Sequence, residues 1–205
     1  MCGIIGYTGA SDAGSIILNA LSDLEYRGYD SSGMALLSSD GKLKRYRAAG
    51  KLINLKNRIG VTNSIGTVGI GHTRWATHGA PIESNAHPHQ DCDTEISVVH
   101  NGIVENFSDL KKMLTKGGHI FESDTDAEVI PHLIEAKMSE GIPLQESVAF
   151  VAKSLQGSNA VVVLHQDYPD QIVAFRSGHS GGLVVGYGDD GMFISSDVVA
   201  LNRHT

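Results

Sequence analysis

The second residue of the chain is a cysteine, and this position gives it a chemical option that an internal cysteine lacks. The sequence begins Met1-Cys2-Gly3, and we expect Met1 to be removed because the Cys2 side chain is small. Cys2 would then carry both a thiol and a free α-amine. A thiol is mostly protonated at neutral pH and needs a base to act as a nucleophile, whereas an α-amine titrates near pH ~7.7–8.0 and can accept that proton. The alternative is a buried, apolar cysteine on a first strand.

A polar loop around Arg74 is a candidate for binding a carboxylate. The planar guanidinium of Arg74 can hold a carboxylate with two hydrogen bonds, and Thr77 and His78 could add others. Trp75, the only tryptophan in the chain, could form a lid or a wall beside it. An ordinary loop with a structural arginine and a core tryptophan explains the same residues equally well.

Two further segments could complete an active site. Asn101-Gly102 follows an apolar run and is typical of a turn, but a side-chain amide beside a backbone N–H is also the composition of an oxyanion hole. Asp126 lies at a predicted helix start, where an aspartate usually caps the helix. An unpaired Asp126 could instead bind an ammonium group, so Arg74 and Asp126 together would fit an α-amino acid.

A cluster of possible metal ligands occupies the same part of the sequence. Its spacing lacks both the paired CxxC and the HExxH patterns of zinc sites, so we expect no metal. The residues concerned are His72, His78, His87, His89, Asp91, Cys92 and Asp93.

Composition limits the partners that the chain could bind. The chain has 205 residues, of which 16 are Lys or Arg and 23 are Asp or Glu, giving a formal charge of −7. This acidic balance argues against a nucleic-acid or anionic membrane surface. Two cysteines do not make a disulfide framework, and no apolar run reaches transmembrane length. We therefore expect a cytoplasmic protein.

The hydrophobic pattern predicts strands separated by helices early in the chain and hairpin strands late. Apolar residues at helical spacing from Ala13 to Leu24 predict a helix capped by Ser11, and Pro131 is expected to kink a later helix. This order favours an α+β fold in which helices cover two stacked antiparallel sheets, a layered sandwich. Strands are predicted at 2–7, 33–37, 43–47, 68–72, 96–100, 160–164, 172–175, 183–185 and 192–194, and helices at 13–24, 52–59, 107–116, 125–137 and 143–155.

Several ordered motifs resemble the glutaminase domains of class II glutamine amidotransferases, which are N-terminal-nucleophile hydrolases. Within that family the closest resemblance is to the glucosamine-6-phosphate synthase branch. The resemblance extends from residue 2 to about residue 200, and its fold implies a four-layer αββα sandwich. The motifs are Met1-Cys2-Gly3-Ile4, Leu24-Glu25-Tyr26-Arg27-Gly28-Tyr29-Asp30-Ser31, His72-Thr73-Arg74-Trp75-Ala76-Thr77-His78-Gly79, Asn85-Ala86-His87-Pro88-His89, His100-Asn101-Gly102 and Thr125-Asp126.

The resemblance implies a chemical step for three residues. Cys2 would be the nucleophile and its freed amine the base, while Asn101 and the Gly102 N–H would form the oxyanion hole. The implied reaction hydrolyses the side-chain amide of L-glutamine through a γ-glutamyl thioester, and neither of its steps calls for a cofactor.

The resemblance also implies how glutamine would be held. Arg74, Thr77 and His78 would bind its α-carboxylate and Asp126 its α-amine. Trp75 would close the site and control where ammonia goes.

The resemblance finally implies partners beyond this chain. Residues 1–205 are expected to be a single domain excised from a longer chain, whose sugar-isomerase domain binds fructose 6-phosphate and which is homodimeric. Other N-terminal-nucleophile amidases and a catalytically silent binding module stay open as alternatives. Retention of Met1 would favour the silent module, because the base would then be tied up in an amide.

Overall fold

Ten strands and five α-helices form the parts of the chain that the computed structural model describes, residues 2–60, 66–75, 79–179 and 181–205. The strands are β1 Gly3–Gly9, β2 Ser31–Ser38, β3 Leu43–Ala49, β4 Gly66–Arg74, β5 His89–Gln90, β6 Ile96–Gly102, β7 Asn159–His165, β8 Val173–Ser177, β9 Val184–Gly188 and β10 Gly191–Ser195. The α-helices are α1 Ala13–Leu24, α2 Leu52–Ile59, α3 Phe107–Lys116, α4 Val129–Ser139 and α5 Leu144–Ser154. Short 3-10 helices occupy Glu25–Arg27, Glu83–Asn85, Asp126–Glu128 and Val198–Ala200.

The strands form two antiparallel sheets. The larger sheet has the order β3-β2-β4-β1-β10-β9, and the smaller has the order β5-β6-β7-β8. Gly3 on β1 pairs with Thr73 on β4, so Cys2 lies beside Arg74 at the end of the neighbouring strand. This register places the candidate nucleophile next to the polar loop that follows β4.

Three apolar clusters separate four layers. One lies between α1, α2 and the larger sheet, with Ile17, Leu21 and Leu55 fully buried. A second fills the space between the two sheets, and a third lies between the smaller sheet and α3, α4 and α5. Burial on both faces explains why the central strands are mostly apolar. The predicted α+β fold, an αββα sandwich, is therefore confirmed.

Two local predictions need correction. The cap of α1 is Asp12 and not Ser11, because the Asp12 carboxylate accepts hydrogen bonds from the N–H groups of Gly14 and Ser15. The predicted helix from residue 125 begins as a 3-10 turn, and α4 proper starts at Val129. Pro131 thus lies in the first turn, where its missing N–H removes no intrahelical bond, and the reason for a kink disappears.

In the described ranges, no helix combines the length and the apolar character that crossing a bilayer requires.

Candidate active site

The Cys2 side chain is held by the backbone of the segment that follows β4. The Trp75 N–H donates to Cys2 Sγ at 3.2 Å, and the thiol faces the Trp75 carbonyl oxygen at 3.6 Å. The Cys2 carbonyl oxygen accepts from Asn101 Nδ2 at 3.0 Å and from Arg27 Nε at 3.2 Å. Groups from three separate segments therefore fix the position of the candidate nucleophile.

The environment of Cys2 keeps its thiol protonated. Burial raises the pKa of the thiol, and this effect outweighs the opposing effects of the Trp75 N–H bond and of the positive charges of Arg74 and Arg27. A thiol with a raised pKa is a weak nucleophile at neutral pH. The geometry thus calls for an adjacent base, which the freed α-amine of Cys2 would supply.

The Asn101 amide has a defined orientation because His72 holds its oxygen. His72 Nε2 lies 3.1 Å from the His100 carbonyl oxygen and 3.0 Å from Asn101 Oδ1. A carbonyl oxygen only accepts, so Nε2 carries the hydrogen and donates to both oxygens. The Asn101 NH₂ group must then face Cys2. An amide nitrogen has two hydrogens, so one can hold the Cys2 carbonyl while the other is available to a developing oxyanion.

Both the backbone conformation and the lack of room for a side chain require glycine at position 102. Its φ is 142°, a region that side chains rarely adopt. A Cβ atom there would lie 2.0 Å from the Ser158 carbonyl oxygen and 2.9 Å from His100 Nε2. Only glycine fits at this corner of β6.

Arg74 and Asp126, two of the residues proposed for substrate binding, line the same small cavity as Cys2. Its volume is about 40 Å³. Asp126 Oδ2 accepts from the Val104 N–H at 2.7 Å, and the Arg74 guanidinium donates to the Ala80 carbonyl oxygen at 3.3 Å. Burial lowers the pKa of Arg74, with the nearby charge of Asp126 acting against that shift, and arginine stays cationic in proteins. The cavity is lined by Cys2, Arg74, Trp75, His87, His100, Gly102, Thr125 and Asp126.

Four buried histidines lie at or next to this cavity, and two of them, His87 and His100, line it. His87 stacks on His72 with ring centroids 4.2 Å apart, and His89 packs edge-on against His87 at 4.5 Å. Burial lowers the pKa of His72 to about 3 and also lowers the pKa values of His87, His89 and His100. These rings are therefore neutral at physiological pH and act as packing and hydrogen-bonding groups.

Larger clefts lie elsewhere on the described part of the molecule, among them three of about 560, 410 and 210 Å³. Among the described residues, none of these three is lined by a cysteine. Size alone would favour these clefts, but the small cavity is lined by a cysteine together with an arginine and an aspartate, which makes it the better candidate for an active site.

Comparison with known proteins agrees with this geometry. A family profile described as a glutamine amidotransferase domain matches residues 72–203. The chain belongs to this family. The resemblance inferred from the sequence motifs is thereby confirmed.

Relatives of this chain are much longer proteins than the chain itself. A Clostridium acetobutylicum protein named glutamine–fructose-6-phosphate aminotransferase (isomerizing) is 47% identical over 205 residues, which is 100% of this chain and 33% of that protein. A Pyrococcus horikoshii protein of the same name is 46% identical, with 100% and 34% covered. The chain thus spans about a third of the length of these relatives.

A solved structure shares the fold. Glutamine phosphoribosylpyrophosphate amidotransferase from B. subtilis superimposes with a TM-score of 0.84 at 25% identity, over 98% of this chain and 43% of that one. The arrangement of two antiparallel sheets between helices is therefore that of a known amidotransferase.

The amidotransferase domain brings together most of the residues that the sequence singled out. Cys2, Arg74, Gly102 and Asp126 line one cavity, and Asn101 contacts Cys2 directly. Thr77 and His78 lie outside the described residues, so their proposed contacts stay predictions.

Trp75 is not a core residue, which removes one of the alternatives considered for it. It is 45% exposed and packs edge-on against Tyr29 with ring centroids 5.4 Å apart. Its backbone contacts Cys2 while its ring lies at the surface.

Sequence reasoning missed two positioning residues, His72 and Arg27. Both lie within motifs that carried the resemblance, but their contacts to Asn101 and to the Cys2 carbonyl depend on strand register and on the end of α1. The one available signal was polarity within an apolar strand, which His72 provides in β4.

Proposed function

We propose that this chain hydrolyses the side-chain amide of L-glutamine to glutamate and ammonia through a γ-glutamyl thioester on Cys2. In a full-length protein, the ammonia would pass to a sugar-isomerase domain that makes glucosamine 6-phosphate from fructose 6-phosphate. The observation that carries this proposal is the shared cavity of Cys2, Gly102, Arg74 and Asp126. Family membership and the names of the relatives support the choice of substrate.

Acylation begins with transfer of the Cys2 thiol proton to the α-amine that removal of Met1 exposes. The thiolate attacks the amide carbon of glutamine, and the carbonyl oxygen becomes an oxyanion. Asn101 Nδ2 and the Gly102 N–H are the proposed donors to that oxyanion, a type of interaction whose loss costs about 10²–10³ in kcat. The protonated amine then gives its proton to the departing nitrogen, which leaves as ammonia.

Deacylation repeats the same chemistry with water. The α-amine takes a proton from water, and the resulting hydroxide attacks the thioester carbon under the same two donors. Collapse of the intermediate breaks the C–S bond, and the proton returns to the sulfur. Glutamate is released and Cys2 is regenerated.

Opposite charges at two ends of the cavity would select an α-amino acid. Arg74 is proposed to bind the α-carboxylate, with Thr77 and His78, and Asp126 is proposed to bind the α-amine. The cavity that Arg74 and Asp126 line has a volume of about 40 Å³. The Trp75 ring at its edge is exposed, and we propose that this ring is the gate.

Steady-state glutamate production by purified chain tests the proposal. We expect Cys2→Ala to abolish turnover while the circular dichroism spectrum and melting temperature stay near those of the parent. Residual turnover near the parent rate would contradict the assignment.

Substrate choice separates the glutaminase from a general amidase. We expect glutamine to be hydrolysed, whereas a simple primary amide without α-amine and α-carboxylate is not. Equal kcat/KM for both amides would favour an amidase of another specificity. No turnover of either amide by a chain lacking Met1 would favour a silent binding module.

A further inference from the structure

A second cluster of reactive side chains lies on the far side of the smaller sheet. Cys92 belongs to the connection between β5 and β6, His119 follows α3, and His132 and Glu135 stand one turn apart on α4. One ligand atom from each of these residues lies within 4.8 Å of all the others. Three separate segments of the chain therefore present their polar atoms to a single point.

The distances between the sulfur and the two nitrogen atoms match three edges of a tetrahedron. Cys92 Sγ lies 3.7 Å from His119 Nδ1 and 3.6 Å from His132 Nδ1, and the two nitrogens are 3.3 Å apart. Zinc with bonds of ~2.3 Å to sulfur and ~2.0–2.1 Å to nitrogen would have tetrahedral edges of about 3.6 Å between sulfur and nitrogen and about 3.3 Å between nitrogens. Glu135 Oε2, the fourth candidate ligand, lies 2.8 Å from His119 Nδ1 and 3.2 Å from His132 Nδ1.

A catalytic Cys-His-Glu triad does not fit the same atoms. In such a triad, the nucleophile and the orienting carboxylate contact opposite nitrogens of one imidazole ring. Here Cys92 and Glu135 both face Nδ1, on each of the two histidines. Lone pairs that converge from one side of each ring suit a central cation instead.

We propose that Cys92, His119, His132 and Glu135 bind one zinc ion. Thiolate, imidazole and carboxylate are the ligand types that zinc takes, and a site closed by four protein ligands is structural rather than catalytic. The Cys92 thiol gives up its proton to solvent when the metal binds. This site departs from the expectation drawn from the sequence, which considered Cys92 only with residues of its own loop.

The surroundings allow an ion to enter and then hold it. Cys92 is exposed, which provides the entry path, whereas His132 is buried and its ring packs on Phe121 at 4.5 Å between centroids. Asp91 Oδ1 accepts from the Ile96 N–H at 2.8 Å and closes the turn that presents Cys92. Bound zinc would tie this turn to α4 and to the end of α3.

Metal content and stability test the proposal in a Cys2→Ala background, which keeps the other thiol from contributing. After chelator treatment and reconstitution with zinc, we expect about one zinc per chain by elemental analysis. Cobalt in place of zinc should give the intense ligand-field bands of a tetrahedral site and a thiolate charge-transfer band. Free zinc at a thousandfold excess over Kd should raise Tm by about 8–16 °C for a chain of this size.

Matched variants assign the metal to these residues. Cys92→Ser and His119→Ala should each weaken zinc affinity at least ~100-fold. Loss of a residue that only hydrogen-bonds to a metal ligand costs up to ~100-fold, so the loss of a ligand itself should cost at least as much. His179→Ala, which removes an exposed histidine elsewhere, should leave affinity unchanged. If Cys92→Ser does not fold, Glu135→Gln keeps the shape of the side chain and should still lose affinity. Absence of stoichiometric metal in the reconstituted parent, or parent-like zinc content in the Cys92→Ser/His119→Ala double variant, would overturn the proposal.

Discussion

Removing the His72 imidazole should slow turnover by releasing the oxyanion donor, without changing substrate affinity. His72 Nε2 donates to Asn101 Oδ1 at 3.0 Å, and His72→Leu deletes that donor. The deletion leaves Asn101 Oδ1 unpaired, which costs about 1–3 kcal/mol in a buried site. If Asn101 must regain its reactive orientation against that cost, kcat falls about 5- to 150-fold.

The decrease in kcat caused by His72→Leu cannot exceed the decrease caused by removing the Asn101 donor itself. Removing one oxyanion donor costs about 10²–10³ in kcat, so Asn101→Ala should exceed His72→Leu. Because His72 acts through Asn101, the double variant should be no slower than Asn101→Ala alone. KM should stay near the parent value in all three, since neither residue is proposed to contact the α-amine or the α-carboxylate.

A conservative replacement separates positioning from a loss of folding. The side-chain amide of His72→Gln offers an N–H close to the place of Nε2 and should restore much of the lost kcat. Since the pKa of His72 is about 3, the ring does not titrate in the working range, and none of these variants should move a limb of the pH–rate profile. Stopped assays of glutamate at saturating glutamine, with melting curves for each variant, supply the data. Fully additive losses in the double variant would refute the reasoning.

Three further predictions concern the same cavity. Asp126→Asn keeps an oxygen that can accept from the Val104 N–H but removes the negative charge. The loss of a charged hydrogen bond to the substrate should raise KM for glutamine about 10- to 150-fold. An unchanged KM in glutaminase assays would exclude Asp126 as the ammonium site. Gly102→Ala should lower the free energy of unfolding by at least about 1–3 kcal/mol, the cost of the positive φ alone, because the added Cβ would also lie 2.0 Å from the Ser158 carbonyl oxygen. Equal urea midpoints for variant and parent would contradict that. Buried histidines with lowered pKa values take up protons on unfolding, so their contribution to stability is present above pH ~6.5 and is lost as pH falls towards their folded pKa values. From pH 7.5 to 5.5 the contribution of His72, whose folded pKa is about 3, should fall by about 1.4 kcal/mol, to be read from urea titrations with chelator present, and a pH-independent midpoint would count against the neutrality of these histidines. These histidines are His72, His87, His89 and His100.

The spacing of apolar residues predicted the layers of the fold, because a helix or strand that is buried on one face or on both has a recognisable apolar pattern in its sequence. The helix from Ala13 to Leu24 and the strands predicted at 33–37 and 43–47 are examples, and the structure has all three. The predicted details that were wrong depend on which of two neighbouring residues makes a given hydrogen bond. Ser11 and Asp12 are both good caps, and only the geometry of the first turn selects Asp12.

The site was partly predictable for a similar reason. Cys2, Arg74 and Asp126 have side chains whose chemistry is visible one residue at a time. The orienting role of His72 depends on strand register across two sheets, which no local pattern encodes. The four residues of the proposed zinc site span positions 92 to 135, too widely and irregularly for a spacing rule to find.

The most direct test of the account is the mass of the chain before and after reaction with an electrophile that mimics glutamine. We expect the untreated chain to lack one methionine residue, and the treated chain to carry a single adduct on Cys2 that excess glutamine prevents. An adduct on Cys92 instead, or full glutaminase activity in a chain that retains Met1, would contradict the claim that Cys2 attacks with its own amine as the base.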